Sequence, residues 1–130
     1  MNIKFDHIYF SVENMERAVN FYEELLERKA THREEDRWAD FEIEGQTGMY
    51  FGLINSNAIE NKRIIGNNAT LGIYTDDIIK AFEKAKQIGA TILYEPEYVQ
   101  DSPYKYSCFG MLDLDGNMIE VASYEKNENQ

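Results

Sequence analysis

Cysteine is nearly absent from the sequence, which has only Cys108 among its 130 residues. No internal disulfide can therefore form, and this cysteine usage is typical of a reducing, cytoplasmic environment. Long apolar runs are also missing, since none approaches the roughly 20 residues that a membrane-spanning helix needs. Residues 1–6 lack the apolar stretch of a signal peptide. We therefore expect a cytoplasmic protein that does not cross a membrane.

Positive charge is scarce as well. The chain carries 13 Lys and Arg residues against 24 Asp and Glu residues, which gives a formal net charge of −11. A nucleic-acid partner needs a basic surface for its phosphates, and docking on anionic lipid needs one too, so both are disfavoured. Solubility is the simplest explanation of this acidity. A preference for cationic ligands is the alternative.

What the sequence does contain is enough apolar material for one packed domain. Hydrophobic residues make up 43% of the chain, and a single domain usually has about 100–150 residues. In the first half, alternation predicts a strand at 5–12. Helical spacing predicts a helix that follows the cap Glu13-Asn14 and runs from Met15 to about Glu27 or Arg28. Further strands are expected at 30–34, 38–43 and 48–54.

The same order of patterns then starts again. A polar stretch at 55–68 reads as a linker, which Ile64 and Ile65 are expected to tether to the body. Strands follow at 69–75, 91–94, 106–112 and 118–124, with Glu95-Pro96 ending the second of them and a loop over 97–104. A helix begins after the cap Asp76-Asp77 and ends at Gly89.

Both halves therefore have the order β-α-β-β-β, with an offset of about 63 residues at their start and about 68 near their end. An internal repeat of an incomplete unit is a strong architectural signal. The sequence predicts an α+β fold in which two βαβββ modules form a curved mixed sheet around a cup, with the helices on the convex side. We expect one domain over 1–130, with repeat 1 at about 4–54 and repeat 2 at about 69–124.

Strand alternation also predicts which side chains line the cup. If the helix side takes Ile8, Phe10, Phe51, Leu53, Leu71, Ile73, Ile119 and Val121, the cup receives the alternate residues: His7, Tyr9, Ser11, Tyr50, Gly52, Thr70, Gly72, Tyr74, Met118, Glu120 and Ala122. Trp38 and Tyr106, at places expected to be equivalent in the two halves, are predicted to reach it too. An aromatic concave surface with few polar groups is typical of a small-molecule pocket. The alternative is that these aromatic residues belong to the core or to a dimer contact.

Three segments carry a resemblance to a known family: Asp6-His7-Ile8, the helical run 14–22, and the turn and strand at 112–120, Leu-Asp-Leu-Asp-Gly-Asn-Met-Ile-Glu. With these the chain resembles the vicinal oxygen chelate superfamily, which includes glyoxalase I, extradiol dioxygenases, fosfomycin-resistance enzymes and bleomycin-resistance proteins. The resemblance covers roughly residues 3–124. It departs at Leu114, where the family often has proline.

The resemblance implies four metal-ligand positions, of which two carry suitable residues. His7 stands at the first-strand ligand position and Glu120 at the last-strand carboxylate position, and both can bind Zn, Ni, Mn or Fe. The other two positions hold Gly52 (or Phe51, if the register slips) and Thr70, with Asn68 as a poor substitute nearby. The remaining histidine, His32, has no motif position. The set is incomplete, so no cofactor is the first expectation and a divalent metal is the second.

The resemblance therefore implies a small-molecule binding protein of the bleomycin-resistance type, such as one that sequesters an antibiotic or a metabolite. The expected ligand-binding residues are His7, Tyr9, Trp38, Tyr50, Tyr74, Tyr106 and Met118. The alternative is a metal-dependent lyase, isomerase or dioxygenase that uses His7 as a ligand and Glu120 as a ligand or catalytic base. A glyoxalase would also need a basic site, for which Arg17, Lys62 and Arg63 are loose candidates. A third reading is a structural or regulatory partner. For all three, the resemblance implies a homodimer.

Overall fold

Each half of the chain folds as one helix and one four-stranded mixed sheet in the computed structural model of the protein. The structure describes residues 2, 6–45, 47–58, 65–66, 69–98 and 105–124. The chain divides into two compact units, Met1–Asn67 and Asn68–Gln130. The predicted two-module α+β fold of βαβββ units is confirmed. Within the described residues, no helix is long and apolar enough to cross a membrane.

In the first unit, the first and the last strand in chain order are neighbours in the sheet. Its sheet has the strand order β1-β4-β3-β2, in which β1 and β4 run parallel and the other neighbours run antiparallel. The elements are β1 (His7–Val12), α1 (Met15–Leu26), β2 (His32–Glu34), β3 (Trp38–Glu42) and β4 (Tyr50–Asn55), followed by a short 3₁₀ turn at Ser56–Ala58.

Helix α1 begins and ends where its sequence provides caps. The Asn14 side chain accepts a hydrogen bond from the backbone N–H of Arg17, which satisfies one of the unpaired donors of the first turn. At the other end Glu27 adopts a left-handed conformation with φ of 55°. Between these caps one face of the helix is buried against the sheet, through Met15, Ala18, Val19, Phe21 and Tyr22.

The second unit repeats this plan with the strand order β5-β8-β7-β6. Again the first and last strands, β5 and β8, run parallel. Its elements are β5 (Thr70–Tyr74), α2 (Ile78–Gln87), β6 (Thr91–Tyr98), β7 (Ser107–Leu112) and β8 (Met118–Ser123). Asp77 caps α2 by accepting from the backbone N–H of Lys80, and Gly89 follows the helix with φ of +93°.

One strand prediction is wrong. The sequence predicts that Glu95-Pro96 ends β6 and that a loop starts at residue 97, but β6 continues to Tyr98. Proline cannot donate to a ladder, and it is tolerated because β6 is an edge strand. The pairing with β7 also shifts register between Tyr94 and Glu97, around the proline. Residues 99–104 of the predicted loop lie outside the described residues.

The predicted linker begins later than expected, because Asn55 still belongs to β4 and 56–58 form the short 3₁₀ turn. Ile65 forms an isolated parallel bridge with Ser11, so this residue is tied to the first unit. Ile64 and the other linker residues at 59–63 and 67–68 lie outside the described residues.

The two faces of each sheet differ as alternation predicts. Phe10, Phe51, Leu53, Ile119 and Val121 are all buried, with at most 4% of their surface exposed. In the first unit, the Phe51 ring packs at 5.1 Å from Tyr22 of α1, so this is the helix side. Ile8 departs from the pattern and is 49% exposed, since it lies near the start of an edge strand.

Candidate functional site

The face of the first sheet that points away from α1 carries four predicted ligand-binding residues, which we call the aromatic face: His7, Tyr9, Trp38 and Tyr50. Strand pairing brings them together from three strands. His7 and Tyr9 on β1 lie opposite Tyr50 and Gly52 on β4, and Trp38 on β3 pairs with the same strand. All four rings are at least partly exposed.

Three of these rings contact one another. The His7 ring stacks on Tyr9 at 5.6 Å between centroids. Trp38 meets His7 edge-on at 5.7 Å and Tyr9 at 5.6 Å. Centroid separations of about 4.5–7 Å are those of favourable aromatic pairs. Because the cluster sits on the exposed side of the sheet, its rings are available to a further flat molecule.

Gly52 is the reason why the indole of Trp38 can approach the sheet so closely. A Cβ atom added at Gly52 would lie 2.3 Å from Cη2 of Trp38, a distance at which atoms overlap. The family resemblance places a metal ligand at Gly52, and the sequence shows only that this ligand is missing. The structure shows that the indole fills the space such a side chain needs.

A buried carboxylate fixes the orientation of Trp38. Asp40, which is 7% exposed, accepts one hydrogen bond from Nε1 of Trp38 and another from Nδ1 of His32, both at 2.9 Å. The His32 ring in turn lies 5.4 Å from the ring of Tyr50. His32, for which sequence reasoning found no role, is therefore part of this face. The alternation Trp38-x-Asp40 is a sequence signal for Asp40, since it places the carboxylate beside the indole, whereas His32 reaches this face only through the pairing of β2 with β3.

Both histidines of the chain are oriented by carboxylates. Nδ1 of His7 lies 2.5 Å from Oδ2 of Asp6. Nδ1 of His32 lies 2.9 Å from Oδ1 of Asp40. Since an ionised carboxylate only accepts hydrogen bonds, Nδ1 carries a proton in each ring. In the neutral histidine, Nε2 is then an acceptor.

Tyr50 contributes a hydrogen-bond donor to the same face. Desolvation, followed by the negative charge of Glu42, raises the pKa of its hydroxyl above the ordinary value of 10.0. The hydroxyl therefore stays protonated at neutral pH. The face combines flat aromatic rings, the phenolic hydroxyls of Tyr9 and Tyr50, and a surrounding negative potential.

In the second unit the corresponding face is arranged around Glu120. The hydroxyl of Tyr106 donates to Oε1 of Glu120 at 2.6 Å. The ring of Tyr106 stacks on Tyr124 at 5.8 Å, and Tyr124 contacts Tyr74 at 5.1 Å. Two predicted ligand-binding tyrosines and the predicted catalytic carboxylate thus belong to one connected group. Met118 lies on the same strand face, opposite Thr70.

Three groups around Glu120, the hydroxyls of Tyr106 and Tyr94 and the thiol of Cys108, have raised pKa values. The hydrogen bond to Glu120, with burial, raises the pKa of the Tyr106 hydroxyl well above its ordinary range. Burial and the charge of Glu120 raise the pKa of the Cys108 thiol. Burial and Cys108 raise the pKa of Tyr94. Cys108 is therefore a neutral thiol at pH 7, which does not suit a nucleophile.

Trp38 and Tyr106 are not equivalent, contrary to the sequence prediction. Trp38 pairs with Ile54 of β4, and the matching pair in the second unit is Cys108 with Ala122. Tyr106 precedes β7 by one residue. The offset between the two repeats changes along the chain because their turns differ in length. The sequence comparison therefore matched Trp38 with Tyr106, which lies two residues before Cys108, the true counterpart of Trp38.

The two predicted metal ligands, His7 and Glu120, are not joined by enough further metal-binding side chains to complete a site among the described residues of their own units. Among the described residues no group of three or more His, Cys, Asp or Glu side chains could hold a metal ion. The indole of Trp38 fills the space above Gly52, and the strand neighbours of Glu120 are two glycines, Gly72 and Gly110. These surroundings do not fit a resident metal in either unit. Asn68 lies outside the described residues.

A cavity of about 490 Å³ lies elsewhere in the first unit, at the start of α1. Its lining includes Glu13, Glu16, Arg33 and Asn55, and none of the predicted site residues. Arg33 is already paired with Glu16 at 2.9 Å. Arg17, the one described candidate for a basic glyoxalase site, does not line it; Lys62 and Arg63 lie outside the described residues.

Comparison with known proteins adds a family. A family model described as the Glyoxalase/Bleomycin resistance protein/Dioxygenase superfamily matches residues 4–121. No curated protein matches the chain.

Solved structures resemble the chain over nearly its full length. The integron cassette protein VCH_CASS1 from the mobile metagenome of V. cholerae is 28% identical with a TM-score of 0.68, covering 96% of this chain and 98% of its own. Protein ATC0852 of Agrobacterium tumefaciens is 19% identical with a TM-score of 0.75, covering 96% and 100%. A glyoxalase-related enzyme from Fulvimarina pelagi is 13% identical with a TM-score of 0.74, covering 92% and 87%. For the two structures with 19% and 13% identity, the similarity shows a shared fold alone.

Proposed function

The chain belongs to the Glyoxalase/Bleomycin resistance protein/Dioxygenase superfamily, and from that premise we propose that it binds a small aromatic molecule on its aromatic face. The binding is non-catalytic, of the kind that sequesters an antibiotic or a metabolite. One observation carries this proposal: His7, Tyr9 and Trp38 contact one another on the side of the sheet that the helix does not cover.

The aromatic face is ordered before any ligand arrives. Trp38 is held by its hydrogen bond to Asp40 at 2.9 Å and by its contact with the backbone at Gly52. A side chain that is already fixed in its bound orientation loses little entropy on binding. Each stacked ring pair is worth about 0.5–1.5 kcal/mol beyond the area it buries. This rigidity supports a recognition role for the half-buried indole.

The charges near the face restrict the ligand. Asp6, Asp40 and Glu42 surround the rings, and the chain as a whole has a net charge of −11. An anionic aromatic compound would be repelled, and a neutral or cationic one would not. The proposed ligand is therefore a flat aromatic compound that is neutral or positively charged.

A thermal-stability screen tests the proposal. Neutral, cationic and anionic aromatic compounds of similar size are added to the protein, and a compound that binds only the folded state raises the melting temperature. We expect a rise with neutral or cationic compounds. The rise should vanish in Tyr9→Ala and persist in Tyr98→Ala, since Tyr98 is a 73% exposed tyrosine on β6 of the other unit. Equal losses in both variants would contradict the proposal.

The alternative function, a metal-dependent lyase, isomerase or dioxygenase with His7 and Glu120 as ligands, has one observation in its favour. Asp6 holds Nδ1 of His7, as outer carboxylates do for metal-bound histidines. Calorimetric titration of chelator-stripped protein with Zn²⁺, Ni²⁺ and Mn²⁺ distinguishes the two functions. Stoichiometric binding that disappears in Glu120→Ala would favour the enzyme.

Two further properties belong to the proposal. The family resemblance favours a homodimer, which sedimentation velocity tests directly. The single cysteine, Cys108, favours a cytoplasmic location.

A further inference from the structure

Glu120 lies between two glycines, of which one is covered by a side chain and the other is open. Gly72 on β5 and Gly110 on β7 are its direct neighbours across the sheet. A Cβ atom added at Gly110 would lie 2.3 Å from Cε1 of Tyr94, so the tyrosine ring covers that glycine. A Cβ atom added at Gly72 would meet no atom within 4 Å. The carboxylate is therefore covered on one side and open on the other.

The open side forms a niche about one side chain wide, which we call the Gly72 niche. Its floor is Gly72, and its edges are the neighbours on the same strand face: Thr70 and Tyr74 on β5 and Glu120 on β8. Directly opposed residues of adjacent strands have side chains about 5 Å apart. A group placed where the Gly72 side chain is missing would therefore lie beside the Glu120 carboxylate.

The carboxylate retains capacity to accept hydrogen bonds. Tyr106 donates to Oε1, and an ionised carboxylate has about four acceptor positions. Among the described residues no lysine or arginine pairs with Glu120, and Oε2 has no hydrogen-bond partner. The hydroxyl of Tyr106 fixes the carboxylate in position and leaves its second oxygen to another donor.

Aromatic rings stand next to the niche. Tyr74 is 47% exposed and packs edge-on against Tyr124, which stacks on Tyr106. The faces of aromatic rings attract cations. A carboxylate beside tyrosine rings suits an organic cation, because one charge is matched and the alkyl part gains apolar contact.

We propose that the Gly72 niche binds the protonated amine of an organic cation. The ammonium group donates to Oε2 of Glu120, and the attached carbon chain packs against Tyr74. A metal ion would need several ligands, whereas an ammonium group needs one carboxylate and further weak acceptors. The position that the family uses for a metal ligand thus serves as the anchor of a positively charged ligand. This proposal does not rest on the aromatic face of the first unit.

Nuclear magnetic resonance with a matched pair of probes tests it. The ¹⁵N-labelled protein is titrated with n-butylammonium and, separately, with the neutral 1-butanol, and backbone amide shifts are followed on β5 and β8. We expect saturable shifts at Gly72 and Glu120 with the ammonium compound alone. Removing the charge in Glu120→Gln, which still accepts from Tyr106, should weaken binding by about fivefold or more.

A second variant tests the niche by filling it. Gly72→Val places a β-branched residue where no atom is within 4 Å, so the fold is retained and the probe is excluded. The control for Gly72→Val is Thr91→Val on the edge strand β6. The control for Glu120→Gln is Glu97→Gln, which also lies on β6. Both controls should bind as the wild type does.

Equal shifts with 1-butanol, or shifts that survive Glu120→Gln or Gly72→Val, would overturn the proposal. Diffuse shifts over the acidic surface without saturation would overturn it as well. Because the signal is read at amides of the second unit, the result is independent of aromatic binding at the first.

Discussion

At the scale of the residue, the most informative position is one without a side chain. From the sequence, Gly52 is a missing metal ligand; in the structure it is the surface on which the Trp38 indole lies. Alternation predicted that His7, Tyr9 and Tyr50 share a face, because strand period alone decides this. The role of His32 depends on the pairing of β2 with β3, which no local pattern reports.

Replacing Gly52 with alanine should displace the indole. The new Cβ atom would overlap Cη2 of Trp38 at 2.3 Å, and such overpacking costs about 1–3 kcal/mol. We expect a lower free energy of unfolding in urea and a shifted emission maximum of Trp38, the only tryptophan of the chain. Gly72→Ala is the control, because its Cβ meets no atom within 4 Å. Equal destabilisation by both changes would contradict this account of Gly52.

Tyr106 should make stability depend on alkaline pH. The hydrogen bond to Glu120 raises the pKa of its hydroxyl in the folded state above the ordinary value of 10.0. Folding therefore favours the protonated form, so this contribution is complete below pH 10 and is lost as the pH rises towards the folded-state pKa. Urea midpoints measured between pH 8 and pH 11 should fall less steeply in Tyr106→Phe than in the wild type. Tyr98→Phe, at an exposed position, should keep the wild-type slope.

At the scale of the element, local chemistry predicted most boundaries. Both helix caps, Asn14 and Asp77, stand where the sequence places them, because capping requires only neighbours within one turn. The end of β6 was not predictable in the same way. Pro96 reads as a strand breaker, and only the edge position of β6 and its shifted pairing allow the strand to continue.

The turn between β7 and β8 illustrates why one motif is so specific. Asp113 is 4% exposed, and its Oδ1 accepts from the backbone N–H groups of Asp115 and Asn117 at 2.8 Å. Its Oδ2 accepts from the side-chain amide of Asn117 at 2.9 Å. Gly116 supplies the required φ of +83°. The motif Asp-x-Asp-Gly-Asn thus forms a turn that hydrogen bonds among its own residues stabilise.

Asp113→Ala should destabilise the second unit strongly. It removes Asp113 as the acceptor for the buried backbone and side-chain donors of Asn117, and a buried donor that loses its partner costs about 1–3 kcal/mol. The free energy of unfolding in urea should fall by about 2–4 kcal/mol on this basis. Asp76→Ala, an exposed aspartate before α2, should change it little. A similar small effect of both substitutions would show that the turn does not depend on Asp113.

At the scale of the whole molecule, the two units share a topology and differ in chemistry. The repeat was predictable because both halves keep the same order of periodicities, and the superfamily followed from Asp6-His7-Ile8 and the 112–120 segment. The chemistry was less predictable, since the first unit carries rings around an indole and the second a carboxylate between two glycines. The cup lined by both units stays a prediction of the sequence.

The most direct test of the central claim uses Trp38 as its own reporter. An aromatic, non-anionic compound from the thermal screen is titrated into the protein while the emission of this single tryptophan is followed. If the aromatic face binds the compound, the emission changes saturably with the dissociation constant found by calorimetry, and Tyr9→Ala weakens that constant by about tenfold. Calorimetric binding that leaves Trp38 emission unchanged would place the ligand elsewhere and contradict the claim.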